Sequence, residues 1–228
     1  MKILLVSATT FEIRPLLSQS AFQGSDNEQL SHYRFRNAAM DVLVTGLGMV
    51  ATAFYLGKQL DVASYHLAIN AGICGSFRKT IPIGNVVQVT QDYIPELGAE
   101  EGELFHSITS LGLADPDTPP YTNGKLVSKP KLASPALSKL TKAAGITVNT
   151  IHGNIRSIEK IRLHCDPDIE SMEGAAFFYA CLLSGVPCIQ VRSVSNFVEE
   201  RDKSRWNMEL AVKNLNKTIG DILKEIAK

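Results

Sequence analysis

Short apolar runs alternate with helical patterns along most of the chain. Runs rich in Val, Ile and Leu predict buried strands at residues 3–6, 33–35, 42–45, 67–70, 86–90, 147–152 and 188–194. Helical spacing of apolar residues predicts helices at residues 9–17, 46–60, 131–144 and 172–184. Strands that alternate with helices form a mainly parallel or mixed sheet covered on both faces. The pattern therefore predicts an α/β fold in which residues 1–228 form a single domain with a central mixed, twisted β-sheet flanked by helices.

The last segment carries the clearest helical pattern. Its apolar residues alternate four and three positions apart, at Met208, Val212, Leu215, Ile219, Ile222 and Ile226. This stripe predicts an amphipathic helix that packs on the domain's own sheet, with a subunit interface as the alternative.

One segment interrupts the alternation. Residues 115–124 read Asp-Pro-Asp-Thr-Pro-Pro-Tyr-Thr-Asn-Gly, a composition typical of a loop. This is the one segment that the sequence suggests as a mobile lid.

Composition and charge narrow the function classes. Lys plus Arg number 23 and Asp plus Glu number 23, so no basic surplus is available for a phosphate backbone or an anionic membrane surface. The four cysteines lack metal-ligand spacing. No apolar run approaches the roughly 20 residues of a membrane span, and the N-terminal run is too short for a signal peptide. We expect a cytoplasmic protein with no metal and no nucleic-acid or membrane partner.

Ligands of such folds bind beyond the carboxyl ends of the strands, so polar residues there are the candidates for function. The segment Gly46-Leu47-Gly48-Met49-Val50-Ala51 matches a dinucleotide fingerprint. However, the acid that should end the next strand is missing, because that strand ends in Asn70-Ala71-Gly72. The glycines more simply let the backbone approach a sugar or a water molecule.

Three charged residues at predicted strand ends each allow a structural and a functional interpretation. Glu12 fits a capping-box partner of Thr9 and equally a general base. Glu173 fits a helix-dipole carboxylate or an acceptor for both hydroxyls of a ribose. Arg192 lies inside an apolar run, so it must form a buried salt bridge or face a cleft.

Together these segments carry a resemblance. Residues 1–12, 46–48, 70–75, 171–175 and 192–196 follow the order and spacing of nucleoside phosphorylases and nucleosidases. Over nearly its whole length the chain resembles the methylthioadenosine/S-adenosylhomocysteine nucleosidases. The resemblance implies a small-molecule nucleoside substrate, no cofactor, and a homodimer or higher homo-oligomer.

The resemblance also implies roles for individual residues. Glu12 would take a proton from the attacking water, Arg192 would orient that water or a sugar hydroxyl, and Glu173 would bind the ribose hydroxyls. The residues implied to contact substrate are Gly48, Ile73, Cys74, Gly75, Ile151, His152 and Met172. His152 equally fits a histidine whose hydrogen bonds are satisfied within the protein.

Two departures from the superfamily select the reaction. Its phosphorylases bind phosphate with arginines in the first loop and before the second glycine motif, where this chain has Ser7-Ala8-Thr9-Thr10 and Asn70-Ala71-Gly72. A phosphate dianion would lack charge-assisted partners there, so water is the expected nucleophile. Adenine-specific relatives close the last motif with Asp, whereas this chain has Asn196.

Asn196 favours a 6-oxopurine. Its NH2 can donate to a 6-oxo group while its oxygen accepts from a protonated N7. Adenine would leave a buried group unsatisfied, at a cost of about 1–3 kcal/mol. Because an amide cannot transfer a proton as an Asp does, the acid that protonates the base stays unassigned.

The string from Arg192 to Asp202, with Trp206 behind it, resembles the futalosine hydrolases of the alternative menaquinone pathway. This implies conversion of futalosine and water to hypoxanthine and dehypoxanthinylfutalosine, with Arg201 and Arg205 as candidate partners of the benzoate. The alternatives are an adenine-specific nucleosidase that tolerates Asn, a non-catalytic nucleoside-binding protein and, third, a Rossmann oxidoreductase.

Overall fold

The chain forms a mixed sheet whose strands come from its whole length. In the computed structural model, which describes residues 1–227, the first elements are β1 (Lys2–Ser7), α1 (Thr10–Leu17), β2 (Ala21–Ser25), β3 (Leu30–Phe35), β4 (Ala38–Val44), α2 (Met49–Val62) and β5 (Leu67–Ser76). The middle elements are β6 (Val86–Tyr93), β7 (Gly98–Glu101), β8 (Leu104–Ser107), β9 (Tyr121–Thr122), β10 (Lys125–Val127), α3 (Pro135–Ser138) and β11 (Thr141–Thr147). The last elements are α4 (Ile155–Cys165), β12 (Ile169–Ser171), α5 (Gly174–Leu183), β13 (Cys188–Phe197), a 3₁₀ turn (Lys203–Arg205) and α6 (Met208–Ile226).

The strands follow the order β2-β3-β4-β1-β5-β12-β11-β6-β10-β9, and β13 pairs with both β5 and β6. β1 is parallel to β4 and β5, and β13 is parallel to β5 but antiparallel to β6. The predicted α/β fold with a mixed sheet is therefore confirmed. β7 and β8 form a separate hairpin.

Helices cover the two faces of the sheet. Along β1, Ile3 and Leu5 belong to a buried cluster that includes Leu215 and Ile219 of α6. The alternate residues of β1 face a second buried cluster, which includes Phe177 of α5. The alternation of a strand thus gives each face its own core.

The stripe on α6 packs as predicted against the domain's own sheet. Val212, Leu215, Ile219 and Ile222 are buried, and three of these four belong to the cluster that also contains Ile69 of β5. Asn207 caps the helix by accepting from the Leu210 backbone N–H.

The predicted helix at 131–144 is wrong. Only α3 is helical there, and β11 then pairs with β6 and β12, so the strand predicted at 147–152 ends where it was expected to begin. Gly145 is not a helix stop but a close approach inside the strand, since a Cβ on it would lie 3.0 Å from Val89 Cγ1. Pairing within the sheet overrides the helical pattern.

The helix α4 was not predicted. Its apolar face is short: Ile158 is its one buried residue, and Ile161 and Cys165 are partly buried in the same small cluster, whereas the stripe of α6 is long. Residues 115–124 contain only the two-residue strand β9 and otherwise form turns and loop, close to the expectation. Among residues 1–227, no helix combines the length and apolar content needed to cross a membrane.

Candidate active site

A cavity of about 310 Å³ opens at the carboxyl ends of β1, β5 and β13. The predicted site residues that line it are Glu12, Ile73, Cys74, Gly75, Ile151, Met172, Glu173 and Asn196. Gly48, His152 and Arg192 do not line it. Residues 115–124, the segment suggested as a lid, do not line it either; four of them line a separate small cavity with Ile94 and Leu97.

Glu12 is held at the start of α1 by four donors. Its Oε2 accepts from the Ser7 hydroxyl at 3.2 Å, and from the Thr9 backbone N–H and hydroxyl at 3.0 and 2.9 Å. Its Oε1 accepts from the Ile73 backbone N–H at 3.1 Å. The predicted capping contact with Thr9 is present, and the same contacts fix a buried carboxylate in the cavity wall.

Glu173 immediately precedes α5, and the glycine turn before α2 holds it. Gly46 and Gly48 have φ of 84° and 90°, where glycine is favoured, and the Gly48 N–H donates to Glu173 Oε1 at 3.1 Å. The Gly48 N–H, which was predicted to face the substrate, therefore donates to the Glu173 carboxylate and helps to position it. Burial raises the pKa of Glu173, while Arg192 and the Gly48 N–H act in the opposite direction.

Arg192 lies behind the cavity wall, where it is 1% exposed. Its Nη1 is 3.6 Å from Glu173 Oε2, and its Nη2 donates to Asn70 Oδ1 at 2.5 Å. A Cβ on Gly72 would lie 2.1 Å from Nη1 and 3.1 Å from Glu12 Oε1, so the missing side chain of Gly72 makes room for the guanidinium between the two carboxylates. The buried salt bridge considered for Arg192 is present.

A buried hydrogen-bonded chain continues below Arg192. Arg192 Nε donates to Gln190 Oε1 at 3.0 Å, and Gln190 Nε2 donates to Asp92 Oδ2 at 3.0 Å. Thr147 links Asp92 to the first turn of α5, since its hydroxyl donates to Asp92 and accepts from the Ala175 N–H. Burial raises the pKa of Asp92 to about 6. Nothing in the sequence pattern singled out Asp92 or Gln190.

Asn196 reaches the cavity through an irregularity in β13. The register against β5 shifts between Val194 and Asn196, so Asn196 is aligned with Gly75. Its Nδ2 donates to the Phe197 carbonyl at 3.0 Å, and its Oδ1 accepts from the Ser195 hydroxyl at 2.8 Å. Because a carbonyl can only accept, these contacts fix which end of the amide is NH2. One N–H and one lone pair of the amide have no partner assigned among the described residues.

His152 lies on the other side of the cavity wall. It lines a neighbouring cavity of about 370 Å³, and its Nδ1 is 2.6 Å from Glu170 Oε2. Glu170 itself lines the first cavity and is buried. His152, predicted to contact substrate, therefore does not line the first cavity but contacts Glu170, which does. Sequence reasoning missed Glu170, which precedes the motif at residues 171–175 by one residue.

The open side of the cavity is apolar. Phe11, Leu47, Trp206 and Met208 line it, and Phe11 and Leu47 are 48% and 68% exposed. The candidate benzoate partners lie near Trp206: the Arg201 guanidinium stands 5.2 Å from the Trp206 ring, while Arg205 pairs with Glu199 at 3.2 Å. Neither arginine lines the cavity.

The fold and the sequence define the class of this protein. Residues 2–228 match the model of the phosphorylase superfamily, and the chain belongs to that family. It is an enzyme of the purine nucleosidase type.

Particular relatives are of two kinds. The chain is 28% identical to the futalosine hydrolase of Streptomyces coelicolor, over 80% of this chain and 77% of that protein. It is 26% identical to the 5'-methylthioadenosine/S-adenosylhomocysteine nucleosidase of Haemophilus ducreyi, over 73% and 71%. Among solved structures, the S-adenosylhomocysteine nucleosidase of Streptococcus pyogenes in complex with 5-methylthiotubericidin has the same fold, with a TM-score of 0.83, 20% identity and coverage of 99% and 97%.

Proposed function

We propose that this enzyme hydrolyses the N-ribosidic bond of futalosine and releases hypoxanthine and dehypoxanthinylfutalosine, a step of menaquinone biosynthesis. The observation that carries this proposal is Asn196, whose amide lines the cavity with one end fixed as NH2. Its uncommitted N–H can donate to the 6-oxo group of hypoxanthine, and its oxygen can accept from a protonated N7.

Two carboxylates support cleavage of a ribosyl bond. The bond breaks through a state with positive charge on the sugar, which buried negative groups stabilise. In the proposed mechanism Glu173 accepts from the ribose hydroxyls with Met172 packed against the sugar, and Glu12 takes the proton of the attacking water. Ile73, Cys74, Gly75 and Ile151 form the wall against which the nucleoside lies.

Arg192 acts through the carboxylates in this proposal. Its Nη1 lies 3.6 Å from Glu173 Oε2 and outside the cavity lining, so we propose that it positions Glu173 and does not contact the water itself. Its positive charge lowers the pKa of Glu173 and so opposes burial, which has the larger effect and raises that pKa. The Gly48 N–H, which donates to Glu173 Oε1, also lowers the pKa of Glu173.

Water is the nucleophile in this proposal because the first loop offers no cation to a phosphate. Ser7 and Thr9, which stand at the end of β1, direct their hydroxyls to Glu12. A phosphate dianion would therefore meet a carboxylate and no charge-assisted donor at this place.

The apolar side of the cavity suits the aromatic substituent of futalosine. Trp206, Phe11 and Met208 offer a surface for the aromatic ring. Arg201, whose guanidinium lies 5.2 Å from the Trp206 ring, is the proposed partner of the carboxylate, although it does not line the cavity itself. Arg205 is less suited, because Glu199 already pairs with it.

We also propose that two copies of the chain pair over this apolar side. Leu47, Val50 and Phe54 are 68%, 83% and 64% exposed at the start of α2, next to exposed Phe11. Exposed apolar patches beside a polar site mark interaction surfaces. The four cysteines are free, which suits a reducing compartment such as the cytoplasm, where we expect the reaction to occur.

The test is incubation with futalosine, inosine and methylthioadenosine, followed by chromatography of the freed base. We expect hypoxanthine from futalosine at the highest kcat/KM. Adenine released from methylthioadenosine with higher efficiency would instead assign the protein to the methylthioadenosine nucleosidases. Binding of nucleosides with no base released, equal in wild type and Glu12→Gln, would show a non-catalytic binding protein.

A further inference from the structure

Glu170 is a buried carboxylate in the cavity wall that the mechanism above does not use. It lies on β12 opposite Gly75 of β5, and Asn196 lies opposite the same glycine on the other side. A Cβ on Gly75 would lie 2.9 Å from Val198 Cγ2, 3.3 Å from Asn196 Nδ2 and 3.4 Å from Glu170 Cγ. The amide and the carboxylate therefore lie on the same face of the sheet, close to the same glycine.

The Glu170 carboxylate has a fixed orientation and free accepting capacity. Oε1 accepts from the His152 backbone N–H at 3.0 Å, and Oε2 is 2.6 Å from His152 Nδ1. An ionised carboxylate offers about four lone-pair sites, so two sites have no partner assigned among residues 1–227. Since Glu170 lines the cavity and is buried, a donor on a bound base can reach it where water does not compete.

We infer that Glu170 accepts the N1–H of a 6-oxopurine, so that Asn196 and Glu170 together read the keto form of the base. The inference rests on the proposed nucleosidase function and adds a second specificity-determining residue to it. Hypoxanthine carries a hydrogen on N1 and adenine carries a lone pair there, so a carboxylate at this edge accepts from the first and repels the second. His152 positions Glu170 from the neighbouring cavity.

Glu170→Gln tests the inference with a predictable geometry. The His152 backbone N–H can only donate, so it holds the oxygen of the new amide, and the NH2 takes the place of Oε2 with His152 Nδ1 as its acceptor. That NH2 would face the N1–H of hypoxanthine donor to donor, but it could donate to N1 of adenine. We expect kcat/KM for futalosine to fall about 10- to 100-fold relative to kcat/KM for its 6-amino analogue, which differs only at C6 and N1.

The matched control is Glu96→Gln, the same change at an exposed carboxylate that accepts from the Asn149 N–H in the neighbouring cavity. It should leave the ratio of the two substrates unchanged. A second measurement needs no turnover: inhibition or binding constants of free hypoxanthine and adenine should shift in the same direction in Glu170→Gln.

The outcomes separate the inference from the proposed function. If the wild type cleaves neither substrate, the proposed function fails, and the binding constants of the free bases still test Glu170. If the wild type cleaves futalosine and a folded Glu170→Gln keeps the wild-type ratio for substrates and bases alike, the assignment of Glu170 is overturned.

Discussion

The floor of the cavity and its open side are built on opposite principles. The floor consists of the hydrogen-bonded carboxylates Glu12 and Glu173, which are 6% and 5% exposed, and Arg192 supports it from behind at 1% exposure. The open side consists of apolar groups that stay in contact with solvent, as with Leu47 at 68% exposure. The comparison teaches that the carboxylates proposed to act in cleavage are already held by residues of one chain, whereas the apolar residues proposed to hold the 5' group stay largely exposed among residues 1–227.

The largest expected effect comes from removing the proposed base on the floor. Glu12→Gln keeps the size of the side chain but cannot take a proton from water, so we expect kcat to fall by about 10²- to 10⁴-fold. Steady-state assays of base release measure this, with Glu96→Gln as the control. If Glu12→Gln kept wild-type activity, Glu12 would not be the general base.

Breaking the buried ion pair between Arg192 and Glu173 should lower the free energy of unfolding. Arg192→Met leaves Glu173 buried without its cation, and such changes cost about 3–5 kcal/mol of unfolding free energy. Urea denaturation measures the loss. The double variant Arg192→Met with Glu173→Gln should recover part of it, because no buried charge then lacks a partner. Equal losses in the single and double variants would show that the two residues do not interact.

The stability of the buried chain behind the cavity should depend on pH through Asp92, which Gln190 links to Arg192. Its pKa is raised from 3.8 to about 6 in the folded protein, so the folded state holds this proton more tightly than the unfolded state does. The stabilising contribution is complete below pH 3.8 and is lost as the pH rises through about 6. Unfolding free energies between pH 4 and 7 should therefore show a falling component that is absent in Asp92→Asn. The same slope in both proteins would contradict this assignment.

A change of Asn196 should alter nucleobase recognition and leave the buried carboxylates in place. Asn196→Asp introduces the residue that the adenine-specific nucleosidases have at this position, and we expect the preference for 6-oxo over 6-amino substrates to fall about 10- to 100-fold. Ratios of kcat/KM for futalosine and its 6-amino analogue measure the change. A variant that loses both activities equally would indicate that Asn196 supports the fold instead of reading the base.

The smallest effect is expected on the open side. Arg201→Gln removes an exposed cation, which corresponds to about 1 kcal/mol and hence about a 5-fold higher KM for futalosine. The KM for inosine, which lacks the benzoate, should not change. Arg205→Gln is the matched control, because Arg205 already pairs with Glu199. Equal effects on both substrates would exclude a benzoate contact.

Sequence reasoning predicted the residues that line the cavity better than the buried residues behind them. Glu12, Glu173 and Asn196 follow or end predicted strands, and the resemblance to the nucleosidases indicates the same three positions. All three line the cavity. Asp92 escaped prediction because it follows the polar residues Thr90 and Gln91, beyond the end of the predicted strand. Gln190 escaped because one polar residue inside an apolar strand shows no periodic signal. Their importance depends on partners from distant segments.

The elements show the same division. The long apolar stripe of α6 was read correctly, because its packing follows from its own periodicity. Residues 131–147 were misread, because Gly145 and its neighbours are strand residues only in the presence of β6 and β12. Local pattern carries less information wherever sheet partners decide the conformation.

The shift of register at Ser195 separates two tasks within one strand. Residues 188–194 keep a regular ladder with β5, which anchors Arg192, while the residues after the irregularity begin a new alignment that presents Asn196. We therefore expect that exchange of the amide for another side chain leaves Arg192 and Glu173 in place. Under the proposed function, a scaffold of this kind can acquire a different nucleobase preference through a single codon while its bond-breaking apparatus is inherited intact.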